Sequence, residues 1–138
     1  MELRLTYQEI SDFIAQKAGR ALPVAYGGPH TVRVSYDVNV LFKTASVGLD
    51  LTVDHIEGRD IFLSYSGGAG IDFMVRQAIG MAKNRPGGDL IEPLDGNRIL
   101  LALGRNPQAG TLFDHIDLQD IRFDEHYAIV EFMPRVGV

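Results

Sequence analysis

From Thr31 the chain alternates apolar and polar positions with a period of two. Val32, Val34, Tyr36, Val38, Val40 and Phe42 hold one phase and Arg33, Ser35, Asp37, Asn39 and Lys43 the other, with Leu41 as the exception. A strand of about twelve residues would span about 40 Å, roughly twice the usual length, so the pattern predicts an element that coils or bends. The alternation returns at Val47, Leu49, Leu51 and Val53 and again at Ile61, Leu63 and Tyr65, with Glu57-Gly58-Arg59-Asp60 as the turn between them. Three such runs in succession predict an antiparallel meander with one apolar face.

Helical periods flank this block. In Leu5-Thr6-Tyr7-Gln8-Glu9-Ile10, Thr6 can cap the amide of Glu9, Glu9 can reach back to the amide of Thr6, and Leu5 can staple against Ile10. A helix over 7–18 follows, with Ile10, Phe13 and Ile14 along one face. After Ser66-Gly67-Gly68-Ala69-Gly70, the spacing of Ile71, Met74, Val75, Ala78, Ile79 and Ala82 predicts a second, central helix, with Asp72 at its positive end.

Two hairpins complete the pattern. Leu90 to Leu94 and Arg98 to Leu103 join through Asp95-Gly96-Asn97, and Pro93 marks an edge position. Ile116 to Phe123 and Tyr127 to Met133 join through Asp124-Glu125-His126, and the apolar phase slips by one residue between Leu118 and Ile121, as at a β-bulge. The stretches through Pro23 to Pro29 and Asn106 to Gly110 read as loops. The expected architecture is α+β in the order α-β-β-β-α-β-β-β-β: one domain over 1–138, with a strongly curved antiparallel sheet of long strands around two helices.

Composition narrows the function classes. With 138 residues, 46% hydrophobic and 22% charged, the values are ordinary for one globular domain. The longest apolar run, Ile99 to Leu103, falls far short of the roughly 20 residues of a membrane-spanning helix. A net charge of −5 with scattered Lys and Arg argues against nucleic acid as a partner. The absence of cysteine removes disulfides, thiolate zinc sites and thiol nucleophiles, and no secretory leader is read in the opening residues, so a cytoplasmic location is expected.

No catalytic residue, cofactor or metal site is assigned. The glycine-rich stretch has Phe73 where a dinucleotide fingerprint needs glycine, and no Gly-Lys-Ser/Thr follows. His30, His55, His115 and His126 lie in separate segments without ligand spacing. The acidic segment Asp114, His115, Asp117, Asp120, Asp124, Glu125 and His126 lacks the order of a calcium loop and reads as a solvated sheet face. Ser35, Ser46, Ser64 and Ser66 sit in no nucleophile elbow. Paired carboxylates that meet only in space leave a cone-shaped α+β enzyme as a further reading. Leu41, Phe62 and Leu100 fall on the polar side of their strands, which points to a contact patch for self-association as a homodimer.

A capped helix, a meander of long curved strands, an apolar helix and further hairpins resemble one unit of the tubular lipid-binding superfamily, particularly its small bacterial members. The likeness rests on Leu5 to Ile10, the run Val32 to Phe42, and the closing Ile116-Asp117-Leu118-Gln119-Asp120-Ile121-Arg122-Phe123. The resemblance implies a non-catalytic protein that holds a lipid or other long apolar ligand between curved sheet and helix. It places Val34, Tyr36, Val38, Val40, Leu49, Leu51, Met74, Ala78 and Met81 along that groove. The alternative is an interaction or scaffold protein with a dry core, which self-associates through the outer sheet face or an edge strand.

Overall fold

The first helix begins where the capping box sits. The Glu9 amide donates to Thr6 Oγ1 at 3.1 Å and the Thr6 amide donates to Glu9 Oε1 at 3.0 Å, so two amides with no partner inside the helix are satisfied. In the computed structural model, which describes residues 1–18, 22–68, 70–84, 88–105 and 107–135, this helix is α1 (Tyr7–Ala18). A strand, β1 (Glu2–Thr6), precedes it. Then follow β2 (Val24–Gly28), β3 (Thr31–Val40), β4 (Lys43–Glu57), β5 (Asp60–Gly67), α2 (Ile71–Ala82), β6 (Ile91–Pro93), β7 (Arg98–Ala102), α3 (Pro107–Phe113), β8 (Ile116–Phe123) and β9 (Tyr127–Pro134).

The fold is α+β, as expected, with antiparallel strands that wrap over helices in sheets that do not close. The strands form two sheets: a six-stranded one in the order β2-β3-β4-β5-β7-β6 and a three-stranded one in the order β1-β9-β8. Pro93 lies on the edge strand β6, where its missing amide leaves no gap in a ladder. The expected phase slip in β8 is a register shift between Leu118 and Asp120.

Strands β1 and β2 and helix α3 are additions to the expected order. β1 pairs across the length of the chain with β9, as Leu3 does with Val130 and Leu5 with Ala128. β2 contains Gly27 and Gly28, takes its register from β3 and shifts between Tyr26 and Gly28. In the long hairpin the strand ends at Val40, not Phe42. Leu41-Phe42 form the turn, and β4 begins at Lys43, earlier than the alternation alone suggests.

Helix α2 lies on the apolar face of the larger sheet. Its stripe of Ile71, Val75 and Ile79 is buried and forms one cluster with Tyr65 and Ile99, with Val47, Leu49, Leu51, Leu63 and Ile91 packed against it. A stripe at i, i+4, i+8 turns by about 40° per step, which carries it away from Ala78, an exposed residue that the sequence pattern placed with it. In α1, Ile10 and Ile14 are half-buried, but Phe13 is 60% exposed rather than on the packed face. The entry to α2 is fixed at both sides. The Tyr65 hydroxyl donates to Asp72 Oδ1 at 2.8 Å, and a Cβ on Gly67 would stand 2.8 Å from Ile71 Cγ1, which explains the glycine there.

The two sheets meet along the second half of β4. Beyond Thr52, where β3 begins, β4 bulges between Val53 and His55 and β8 runs beside it. The Phe123 amide donates to the Pro29 carbonyl at 2.7 Å, and Arg59 pairs with Asp114 at 2.9 Å. The Tyr7 hydroxyl donates to the Asp124 carbonyl, which anchors α1 to the turn of the smaller sheet.

Candidate interaction surface

The residues of the expected groove separate into three groups. Leu49 and Leu51 are packed against the buried stripe of α2, and Met74 flanks that stripe half-buried. Ala78 is exposed, and Met81 is 65% exposed on the side of α2 away from the sheet. Val34 is half-buried opposite Leu49. Tyr36, Val38 and Val40 share its phase on β3, opposite Val47, Ala45 and Lys43, while their side chains lie outside the described residues.

The three residues of the expected outer patch are also divided. Phe62 and Leu100 are direct cross-strand partners, both half-buried, and the His55 ring stacks on Phe62 with centroids 4.3 Å apart. Leu41 is at the opposite end of β4, in the turn beyond the Val40–Lys43 pair. From Lys43 to His55 the strand covers about 40 Å, so Leu41 does not share a patch with the other two.

The long hairpin is instead a surface in its own right. Strands β3 and β4 pair continuously from Thr31–Thr52 to Val40–Lys43 and turn through Leu41-Phe42. At its tip Leu41 is 92% and Phe42 104% exposed. Leu41 has a φ of 56°, a left-handed conformation that costs a leucine about 1 kcal/mol or more. An isolated exposed leucine is ordinary, whereas here two adjacent large apolar residues are both fully exposed in one strained turn. The sequence offered no signal for this turn, because neither residue is Gly, Asn or Asp.

Accessible area gives the same impression. The chain exposes 8954 Å², about 1,800 Å² more than the roughly 7,100 Å² expected of a compact monomer of its mass. Phe73 at 72% and Leu3 at 49% are further large apolar side chains in water.

Clefts lie elsewhere. The larger, about 450 Å³, sits at the junction of the sheets between the β4 bulge and β8, lined by His30, Thr52, Asp54, His55, Gln119 and Asp120 among others. Three of its ionisable groups already have structural contacts: Asp54 accepts the Ser64 hydroxyl at 3.0 Å, His55 stacks on Phe62 and stands 3.5 Å from Glu57, and Asp120 accepts the Ile121 amide at 2.9 Å. A second, of about 300 Å³, lies between α1 and β2. Among the described residues no group of three or more His, Asp or Glu is placed to hold a metal ion. No described helix is long and apolar enough to cross a membrane.

Two acidic residues of 114–126, Asp117 and Asp124, tie the smaller sheet together. Asp117 pairs with Arg135 at 2.7 Å, and Asp124 Oδ1 accepts the amides of His126 at 2.8 Å and Tyr127 at 2.7 Å. Those two amides hold the Asp124 carboxyl below its ordinary range. Arg122 does the same for Glu2, the Thr6 amide for Glu9 and Arg33 for Asp50. A carboxyl depressed in the folded state stabilises the fold above its unfolded pKa, and that contribution is lost as pH falls through the folded value. The urea midpoint should therefore stay level from pH 7 to about 5 and fall below about 4.5, where unfolded carboxyls begin to bind protons. Asp124→Asn should shrink that fall, and a midpoint unchanged down to pH 3 would contradict these assignments. Comparison with family models, with curated proteins and with solved structures finds no match to this chain.

Proposed function

We propose that this is a non-catalytic interaction protein that docks a partner on the turn of the β3–β4 hairpin. The observation that carries this reading is the exposure of Leu41 and Phe42, side by side in the turn that joins β3 to β4. Apolar surface of this kind is stable in water only at a cost of about 25 cal/mol per Å², which a partner removes. An apolar ligand between sheet and helix ranks second, because Leu49 and Leu51 of the expected groove already pack against α2.

The test is the native size of the chain in extract of its host. The wild-type chain should run in an assembly well above 15.2 kDa. The double variant Leu41→Asp/Phe42→Asp should run at the monomer mass with an unchanged melting temperature. A wild-type chain that itself runs at the monomer mass would remove the reading.

A further inference from the structure

We infer that the partner on the β3–β4 turn is the surface of a lipid bilayer, which Leu41 and Phe42 enter while Lys43 stays at headgroup level. The inference rests on the reading of the turn as a docking surface and names what it docks on.

Three observations favour a lipid surface over a second protein. The first is area. Leu41 and Phe42 stand fully exposed between the last ladder residues, Val40 and Lys43. Even at the roughly 150–250 Å² of an aromatic side chain each, the two present about 300–500 Å², well under the roughly 800 Å² per partner of a specific protein interface. A bilayer asks for no matching contour, and shallow burial of two such side chains is enough for weak, reversible attachment.

The second is charge. Between Val38 and Ala45 the one charged residue is Lys43, whose side chain is exposed. The nearest carboxylate along either strand belongs to Asp37, opposite Ser46, three ladder pairs behind Val40–Lys43 or about 10 Å. That clearance matches the roughly 5–10 Å to which an interfacial apolar element enters a bilayer, so insertion carries no carboxylate out of water. Lys43 can bury its stem and keep its ammonium among the phosphates. The chain as a whole carries −5, which weakens approach to a strongly anionic surface and makes zwitterionic lipid the better match.

The third is the backbone. Leu41 holds a φ of 56°, where glycine, asparagine and aspartate are the low-cost choices. A turn that only reverses the chain in water is better served by any of those three. Leucine costs the turn stability and gains only against an apolar neighbour, which the acyl region supplies.

The experiment uses the purified full chain and vesicles of phosphatidylcholine. The chain has no tryptophan, so Phe42→Trp places a single fluorophore in the turn, and Phe73→Trp places one at an exposed position of α2 as a control. Lipid should shift the emission of Phe42→Trp to shorter wavelength, and lipid brominated along the acyl chain should quench it, with Phe73→Trp unchanged by either. In sedimentation with vesicles, Leu41→Asp/Phe42→Asp should lower the partition coefficient at least about a hundredfold, while an unchanged melting temperature shows that the variant is folded. Emission from Phe42→Trp that ignores about 1 mM lipid overturns the inference. So does an equal shift from Phe73→Trp, or a double variant that sediments with vesicles as the wild type does. A chain that ignores vesicles but forms a larger assembly in host extract cleared of membranes, lost in the double variant, has a protein partner, and the docking reading then stands without this inference. If that assembly is missing as well, or survives the double variant, the docking reading falls too.

Discussion

Ile79→Ala should lower the unfolding free energy by about 3 kcal/mol, within the range for truncation of a buried aliphatic side chain. Ile79 is 7% exposed and belongs to the stripe that joins α2 to β5 and β7. Removing its outer carbons leaves a void among Tyr65, Ile71, Val75 and Ile99, four buried side chains held on a helix and two strands. Rigid elements on both sides limit collapse, so the cavity cost adds to the lost transfer energy. A marginally stable domain has about 5–15 kcal/mol in all, and the variant should show a much lower urea midpoint with an unchanged denaturant slope. A loss below about 1 kcal/mol would mean that α2 is not seated on the sheet.

Leu51→Ala comes second, at about 2 kcal/mol, because Leu51 is only half-buried yet packed against the same cluster. This substitution separates the two uses of the apolar face. If Leu51 lined an open groove, its truncation would enlarge a space already present and cost under about 1 kcal/mol. The packed arrangement also predicts that the double variant Leu51→Ala/Ile79→Ala departs from additivity by about 0.5 kcal/mol or more, since both side chains border one cluster. Urea titrations of the two single variants and the double variant check both points.

Local chemistry made much of this fold legible. The Thr6–Glu9 capping box, the β8 bulge, the edge position of Pro93 and the turns at Gly58 and Gly96 all follow from residues within a few positions of each other. Gly58 and Gly96 have φ of 60° and 71°, which the glycines in those turns anticipate. What escaped the sequence depends on distant partners. β1 is a strand because β9 stands beside it, and β2 is one despite two glycines because β3 supplies its register. No pattern within Glu2 to Thr6 reveals a neighbour more than a hundred residues away.

The candidate surface was legible only in part, for the same reason. Alternation placed Leu41, Phe62 and Leu100 out of phase, but whether such residues meet depends on where each strand turns. Phe62 and Leu100 meet through pairing of β5 with β7, while the turn at Leu41-Phe42 sends Leu41 to the far end of the hairpin. Alternation puts Phe42 in the apolar phase of a continuous strand, and the turn leaves it fully exposed instead.

The seating of α2 decides how the apolar face is used, and methyl-to-methyl nuclear Overhauser effects on selectively labelled protein report it directly. Cross-peaks should join the methyls of Val75 and Ile79 to those of Leu51 and Leu63, with none from Leu41 to that cluster. Cross-peaks missing between α2 and Leu51, in a protein that otherwise gives well-dispersed spectra, would show an open space between helix and sheet and contradict the account.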